Sequence, residues 1–211
     1  MTNYFVVLTA TAALCAGACS AADTPAAARP KPAPTSAVAA QPAAAAARYV
    51  QAPAGSTLTF TFVQEGAANN GSFKRFTTEL TYDEKDPATG SLKVQVQIAS
   101  VDTQDKERNE MISGSDLFDA QKFPTAQYVA NSFAKRADGT LEAVGKLTLR
   151  GTTHDLRLPL KIVATAAGAE LSGTATIKRL DYGVGQGDWK STESVGDEVK
   201  LQYQVALVKA K

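Results

Sequence analysis

"KSTESVGDEVKLQYQVALV", Lys190 to Val208, is polar at first and then alternates strictly: Val199, Leu201, Tyr203, Val205 and Leu207 are set against Lys200, Gln202 and Gln204. A period of two is a strand with one apolar and one wet face. This decides how the preceding "GVGQGDW" (Gly183 to Trp189) is read. A phosphate-cradling glycine loop needs a helix N-terminus directly after it. Here a strand follows, and the Gly-Lys-Ser/Thr of a P-loop is missing, so the glycines read as turn residues with positive φ.

The same period runs back through the chain to Tyr49. Leu58, Phe60 and Phe62 alternate with threonines; Phe76, Leu80 and Tyr82 with Thr77, Glu79 and Thr81; Leu92, Val94, Val96 and Ile98 with Lys93, Gln95 and Gln97. Leu147 and Leu149, then Leu156, Leu158, Leu160 and Ile162, continue the pattern. Such strands form an antiparallel sheet that buries one face, and so many of them with little helix must curl into a barrel or split into a sandwich. One segment departs from the pattern: "TQDKERNEMISGSDLFDAQKFP" (Thr103 to Pro124) predicts a short helix over about Gln104–Ser113 and a compact turn, inserted over one barrel opening. Ala143, Gly145, Gly173 and Ala175 share the leucine faces of their strands. Interiors are close-packed, so a bulky neighbour, a bent strand or a ligand must account for the small residues; four on one face favour a cavity.

Of 211 residues, 44% are hydrophobic, enough for one domain plus appended ends. Residues 1–19 read as an export signal: "YFVVLTATAALCAGACSAAD" has a secretory apolar run and small residues, although "MTNYF" lacks the usual Lys or Arg. Cys19 follows "AGA" as in a lipobox, with Ala16 where Leu is usual, and is the expected lipidation site; ordinary signal cleavage near Ala21 is the alternative. Residues 20–47 are an Ala/Pro-rich spacer without core-forming residues, and 48–211 form the folded domain. The expected address is the periplasm, with a tether to the outer membrane through the N-terminal lipid.

Both cysteines, Cys15 and Cys19, lie in the signal, so no disulfide is expected in the domain. Residues 1–47 hold only Asp23, Arg29 and Lys31 of the 21 acidic and 22 basic side chains, so the remainder is balanced and offers no nucleic-acid footprint. His154, the single histidine, sits in "GTTHDL" and reads as a solvated turn residue; one histidine and no domain cysteine leave no metal site. Asp116 reads as a turn cap beside Asp119, and Arg179 with Asp181 as an ion pair at the barrel rim. No cofactor and no catalytic set is expected.

"SVDTQDKERNEMISGSDLFDAQKFPTAQY", "VGKLTLRGTTHDLRLPL", "IKRLDYGVGQGDW" and "VGDEVKLQYQVAL", in this order over about Tyr49–Val208, resemble the YceI-like family of lipocalin-like bacterial periplasmic proteins. The resemblance implies an all-β, eight-stranded antiparallel barrel whose apolar tunnel holds a polyisoprenoid, isoprenoid quinone or similar long chain, for transport, storage or stress response. It also implies that Arg179, Asp181, Tyr182 and Gly183 close a strand. The expected tunnel lining is Phe60, Phe62, Phe76, Leu80, Val94 and Val96, with Met111 and Phe118 from the inserted segment. From the later strands it takes Ala143, Gly145, Leu147, Leu158, Gly173, Ala175, Tyr203 and Val205. The chain departs from the family by lacking a histidine in "GSTLTFTFVQEGAANNGSF", and by carrying Arg108, Asn109, Glu110, Met111 and Ile112 where Arg-Asp-x-His-Leu is common. A head group recognised by those histidines must be met differently here, and Met111 offers an adaptable apolar surface instead. The competing functions are an enzyme, hydrolase or isomerase, acting on such lipids, and a solid structural barrel without ligand. A dimer is compatible with the sequence.

Overall fold

The computed structural model describes residues 46–210 except Gly139. The export signal, Cys19 and all but the end of the spacer lie outside the described residues. Eleven antiparallel strands follow one another: β1 (Ala47–Gln51), β2 (Thr57–Gln64), β3 (Ala67–Phe73), β4 (Phe76–Tyr82), β5 (Ser91–Gln97), β6 (Val101–Asp102), β7 (Thr125–Lys135), β8 (Leu141–Leu149), β9 (Thr152–Ala164), β10 (Gly168–Lys178) and β11 (Glu198–Lys209). The order β1-β4-β5-β7-β8-β9-β10-β11 closes on itself through β1 and β11.

The remaining three strands are continuations. The start of β11 pairs with β2 (Leu201↔Phe60) and its end with β1 (Val208↔Val50). In the same way β3 pairs with β2 and β6 with β3, where β4 had paired with β1 and β5 with β4. Three long strands are therefore each interrupted once, at residues 52–56, 74–75 and 98–100, and the whole is the expected eight-stranded barrel. Two of its hairpins turn on positive-φ pairs, Glu65–Gly66 and Arg150–Gly151. Two successive residues with φ > 0 match the twist of the flanking strands.

The expected helix is α1 (Lys106–Ser113), capped by the Asp105 carboxylate, which accepts from the Arg108 N–H at 3.1 Å. Its buried Ile112 joins one of two core clusters, with Phe60, Phe62, Ile98 and Leu149. The other cluster, around Leu80, Leu92, Tyr128, Ala143 and Leu207, fills the opposite end of the barrel.

The wall has a seam between β9 and β10. Strands β9 and β10 pair only from Lys161↔Ser172 to Ala164↔Ala169, then separate. Pro159 lies where the ladder stops; without an N–H it cannot continue a central pairing. Tyr203 of β11 reaches over Gly173 of β10 and donates its hydroxyl to the Pro159 carbonyl.

Beyond β10 the glycine loop folds around Arg179, which is 4% exposed. Its Nε donates to Gly196, one terminal nitrogen to Val184 and Trp189, the other to Ser191 and Val195, all at backbone carbonyls between 2.6 and 3.2 Å. All five guanidinium donors are satisfied, so the expected Arg179–Asp181 ion pair is replaced by a carbonyl cage. Asp197 is the acidic neighbour, and its carboxylate accepts from the Leu180 N–H at 3.0 Å.

Candidate functional site

Two adjoining cavities occupy the interior. The larger, about 350 Å³, lies beneath α1 and is walled by Phe60, Phe62, Phe73, Val96, Ile98, Phe118, Leu147, Leu149, Ile177 and Leu201, among others. Its polar lining comes from Gln64, from Asp105, Glu107 and Arg108 at the start of α1, and from Arg179, whose donors are all engaged. Met111 stands over it, 47% exposed. The smaller, about 100 Å³, lies deeper and is lined by Phe76, Val94, Leu156, Leu158, Leu171 and Val205, with Tyr128 and Tyr203 beside them. Both volumes are concave and predominantly apolar, as sites that hold hydrocarbon are.

The structure divides the expected lining residues. Phe60, Phe62, Val96, Met111, Phe118 and Leu147 face the larger cavity; Phe76, Val94, Leu158, Tyr203 and Val205 face the smaller, which Val96 and Leu147 also touch. Leu80, Ala143, Gly145, Gly173 and Ala175 line neither. Leu80 is sealed in the closed end at 1% exposure, and Ala175 is half-buried and paired with Leu201.

The small residues accommodate neighbours instead of a ligand, which corrects their reading. A side chain at Gly173 would strike the Pro159 carbonyl and the Tyr203 ring, and one at Gly145 the Val129 carbonyl and Ala130, beside the β7 bulge. Ala143 lies under Tyr128, whose hydroxyl crosses β8 to the carbonyls of Ala143 and Leu156 at 2.9 and 3.1 Å. Burial pushes both tyrosine hydroxyls well above the usual tyrosine range.

Leu58, Ile177, Val199 and Leu201 belong to the alternating faces, and the period alone could have identified them as lining. Val184, Trp189 and Val195 come from the segment after β10, whose carbonyls the Arg179 guanidinium gathers at the cavity. At the helix, Asn109 does not face a ligand: its Oδ1 accepts from Thr103 N and Oγ1 at 2.9 and 2.8 Å.

The glycine loop has little left with which to hold a phosphate. Gly183 and Val184 donate to Leu180 and Arg179, while Gly185 and Gln186 both donate to the Asp116 carbonyl at 3.0 and 2.7 Å. Asp116 thus anchors the loop through its backbone. Gly183, Gly185 and Gly187 have φ of 68°, 119° and 56°, as turn residues. His154 lies in β9, not in the turn, which is Arg150–Gly151; its Nε2 bonds the Asp181 carbonyl at 3.0 Å, and its ring meets Tyr182 edge-on. Among the described residues no three acidic, histidine or cysteine side chains gather into a metal site.

A known protein family shares this arrangement. The model of the YceI-like domain matches residues 49–207. A UPF0312 protein of Shewanella sp. (strain ANA-3) is 32% identical over 155 residues, 67% of this chain and 79% of that one. Protein YceI of Escherichia coli O157:H7 is 33% identical over 116 residues, 51% of this chain and 60% of its own. The crystal structure of Burkholderia cenocepacia BcnA superposes with a TM-score of 0.68 at 31% identity, over 71% of this chain and 94% of that one. A domain from Saccharophagus degradans, described as polyisoprenoid binding and implicated in plant cell wall breakdown, shares the fold at TM-score 0.64 and 15% identity, over 78% of this chain and 99% of its own. Barrel, helix and glycine loop, matched over nearly all the described residues, make this chain a member of the YceI-like family.

Proposed function

We propose that the protein is a binding protein for a long apolar chain of the polyisoprenoid or isoprenoid-quinone class, held in the barrel without chemical change. The observation that carries this reading is the pair of adjoining apolar cavities, whose charged lining is confined to the start of α1 and to Arg179. The description of the Saccharophagus degradans domain as polyisoprenoid binding supports it. Burial of hydrocarbon contributes about 0.8 kcal/mol per methylene, so ten or so buried carbons supply about 8 kcal/mol, the gross equivalent of micromolar affinity, from which the cost of ordering the chain is subtracted. We further propose export to the periplasm and tethering through Cys19, on the strength of the signal-like start and the Ala/Pro spacer.

Native mass spectrometry of protein purified from its own cells tests the binding reading. A co-purifying apolar mass that organic extraction removes is the expected result. Protein that carries no such mass, and after extraction binds no prenyl probe, overturns it. Chemical turnover of an added prenyl lipid would replace the carrier by an enzyme.

A further inference from the structure

Five residues line both cavities: Leu58 of β2, Val96 of β5, Ala126 of β7, Leu147 of β8 and Leu201 of β11. They come from five strands, with Val96 and Ala126 directly paired. Outside this ring, toward α1, lies the larger volume with its charged edge. Inside lies the smaller chamber, where no polar atom reaches the surface. The hydroxyls of Tyr128 and Tyr203 are directed to backbone carbonyls, and that of Thr78 is buried without a partner. Behind the chamber the barrel is closed by Leu80, Leu92 and Leu207, each 2% exposed or less. The tunnel is therefore blind, with a waist part-way along.

We infer that this waist and the chamber behind it grade ligands by chain length, with Ala126 as the determining residue. The inference rests on the lipid-binding reading. Beyond the ring a polar head meets no exposed polar surface and would lose its hydration there, whereas Asp105, Glu107 and Arg108 line the outer volume, so the chain enters tail first and its head stays beside them. Carbons that pass the ring add affinity, on the order of fourfold each. Once the blind end is reached, further carbons remain outside and add nothing. Ala126 is the smallest member of the ring and leaves the space through which the tail passes. It is also 7% exposed, so a larger side chain there has no route to solvent and must occupy the waist.

The test is calorimetric titration of the delipidated full chain with geraniol, farnesol, geranylgeraniol and solanesol. Wild type should show affinity that climbs along the series and then levels off. Ala126→Phe should reach its plateau at a shorter homologue, with the ratio of long-chain to short-chain affinity reduced by about tenfold or more. Val94→Phe, which fills the chamber from behind the ring, should do the same and decides the matter if Ala126→Phe does not fold. Wild-type affinity that rises along the whole series without levelling, or folded variants that keep the wild-type ratio, overturns the waist while lipid binding stands. No binding of any homologue by wild type overturns the lipid-binding reading itself.

Discussion

Tyr203 and Pro159 lie on strands separated by a third, and the hydroxyl of one donates to the carbonyl of the other. Gly173, directly paired with Tyr203, makes the crossing possible because nothing stands on that strand to obstruct the ring. The bond falls where Pro159 ends the β9–β10 ladder, so a side chain replaces a missing main-chain link at this seam of the barrel.

Removing the hydroxyl by Tyr203→Phe should cost about 1 kcal/mol, the usual worth of a buried hydrogen bond. Gly173→Ala should cost about 1–3 kcal/mol, because its Cβ would overlap the Tyr203 ring and the Pro159 carbonyl. Denaturant unfolding measures both. Combined, they should cost less than the sum, since both disturb one contact. Strict additivity would show that Gly173 is needed for some other reason.

The same burial sets a pH dependence. Tyr128 and Tyr203 hold their protons in the folded state well above the ordinary value of 10.0. Above about pH 10 the unfolded chain therefore binds fewer protons than the folded one, and stability, complete below that pH, falls as pH rises. In Tyr203→Phe the fall should be shallower. A variant with the wild-type slope would remove Tyr203 from this linkage.

Arg179→Lys should destabilise by about 3 kcal/mol or more, because one ammonium cannot serve the five carbonyls that the planar guanidinium serves. The loop from Val184 to Val195 should become the first site of proteolytic cleavage. Gly185→Ala should act similarly, with its Cβ directed onto Arg179 at φ 119°. If cleavage begins elsewhere in both variants, the guanidinium does not organise the loop.

Periodicity made most of the fold legible. Alternation located the long strands, and "TQDKERNEMIS" located the helix to within two residues of its start. The strand interruptions were less visible: "APAGS" at 52–56 carries Pro and Gly, but Lys74–Arg75 and Ile98–Ser100 carry no breaker, and the chain bends there for tertiary reasons. The alternation marks the small residues as inward, but what fills the space beside them depends on strand pairing. Gly173 and Tyr203 are thirty residues apart and meet only through the β10–β11 register. Arg179 reads as half of an ion pair in the sequence because its partners are carbonyls, which no side-chain pattern reveals.

Cys19→Ala should move the protein from the membrane to the soluble periplasmic fraction, with the unfolding transition of the barrel unchanged because its first strand begins at Ala47. Fractionation with a lipoprotein marker measures this. Wild type found wholly in the soluble fraction would remove the anchor and leave the barrel reading untouched.

Met111 tests where the tunnel opens. It is half exposed on α1 above the larger cavity, so it contributes little to the core, and Met111→Glu should change stability by no more than about 0.5 kcal/mol. The substitution removes flexible apolar surface at the entrance and adds a carboxylate beside Asp105 and Glu107, both of which also line the cavity. An entering hydrocarbon must then pass a hydrated charge. Affinity for a fluorescent prenyl probe should fall by about fivefold to tenfold, equivalent to one or two methylenes of lost contact. Met111→Leu, which keeps the apolar surface, should bind nearly as wild type. If Met111→Glu binds the probe unchanged while remaining folded, the chain does not enter past α1, and the seam between β9 and β10, where Leu156 and Leu158 reach the inner chamber, becomes the entrance to test next.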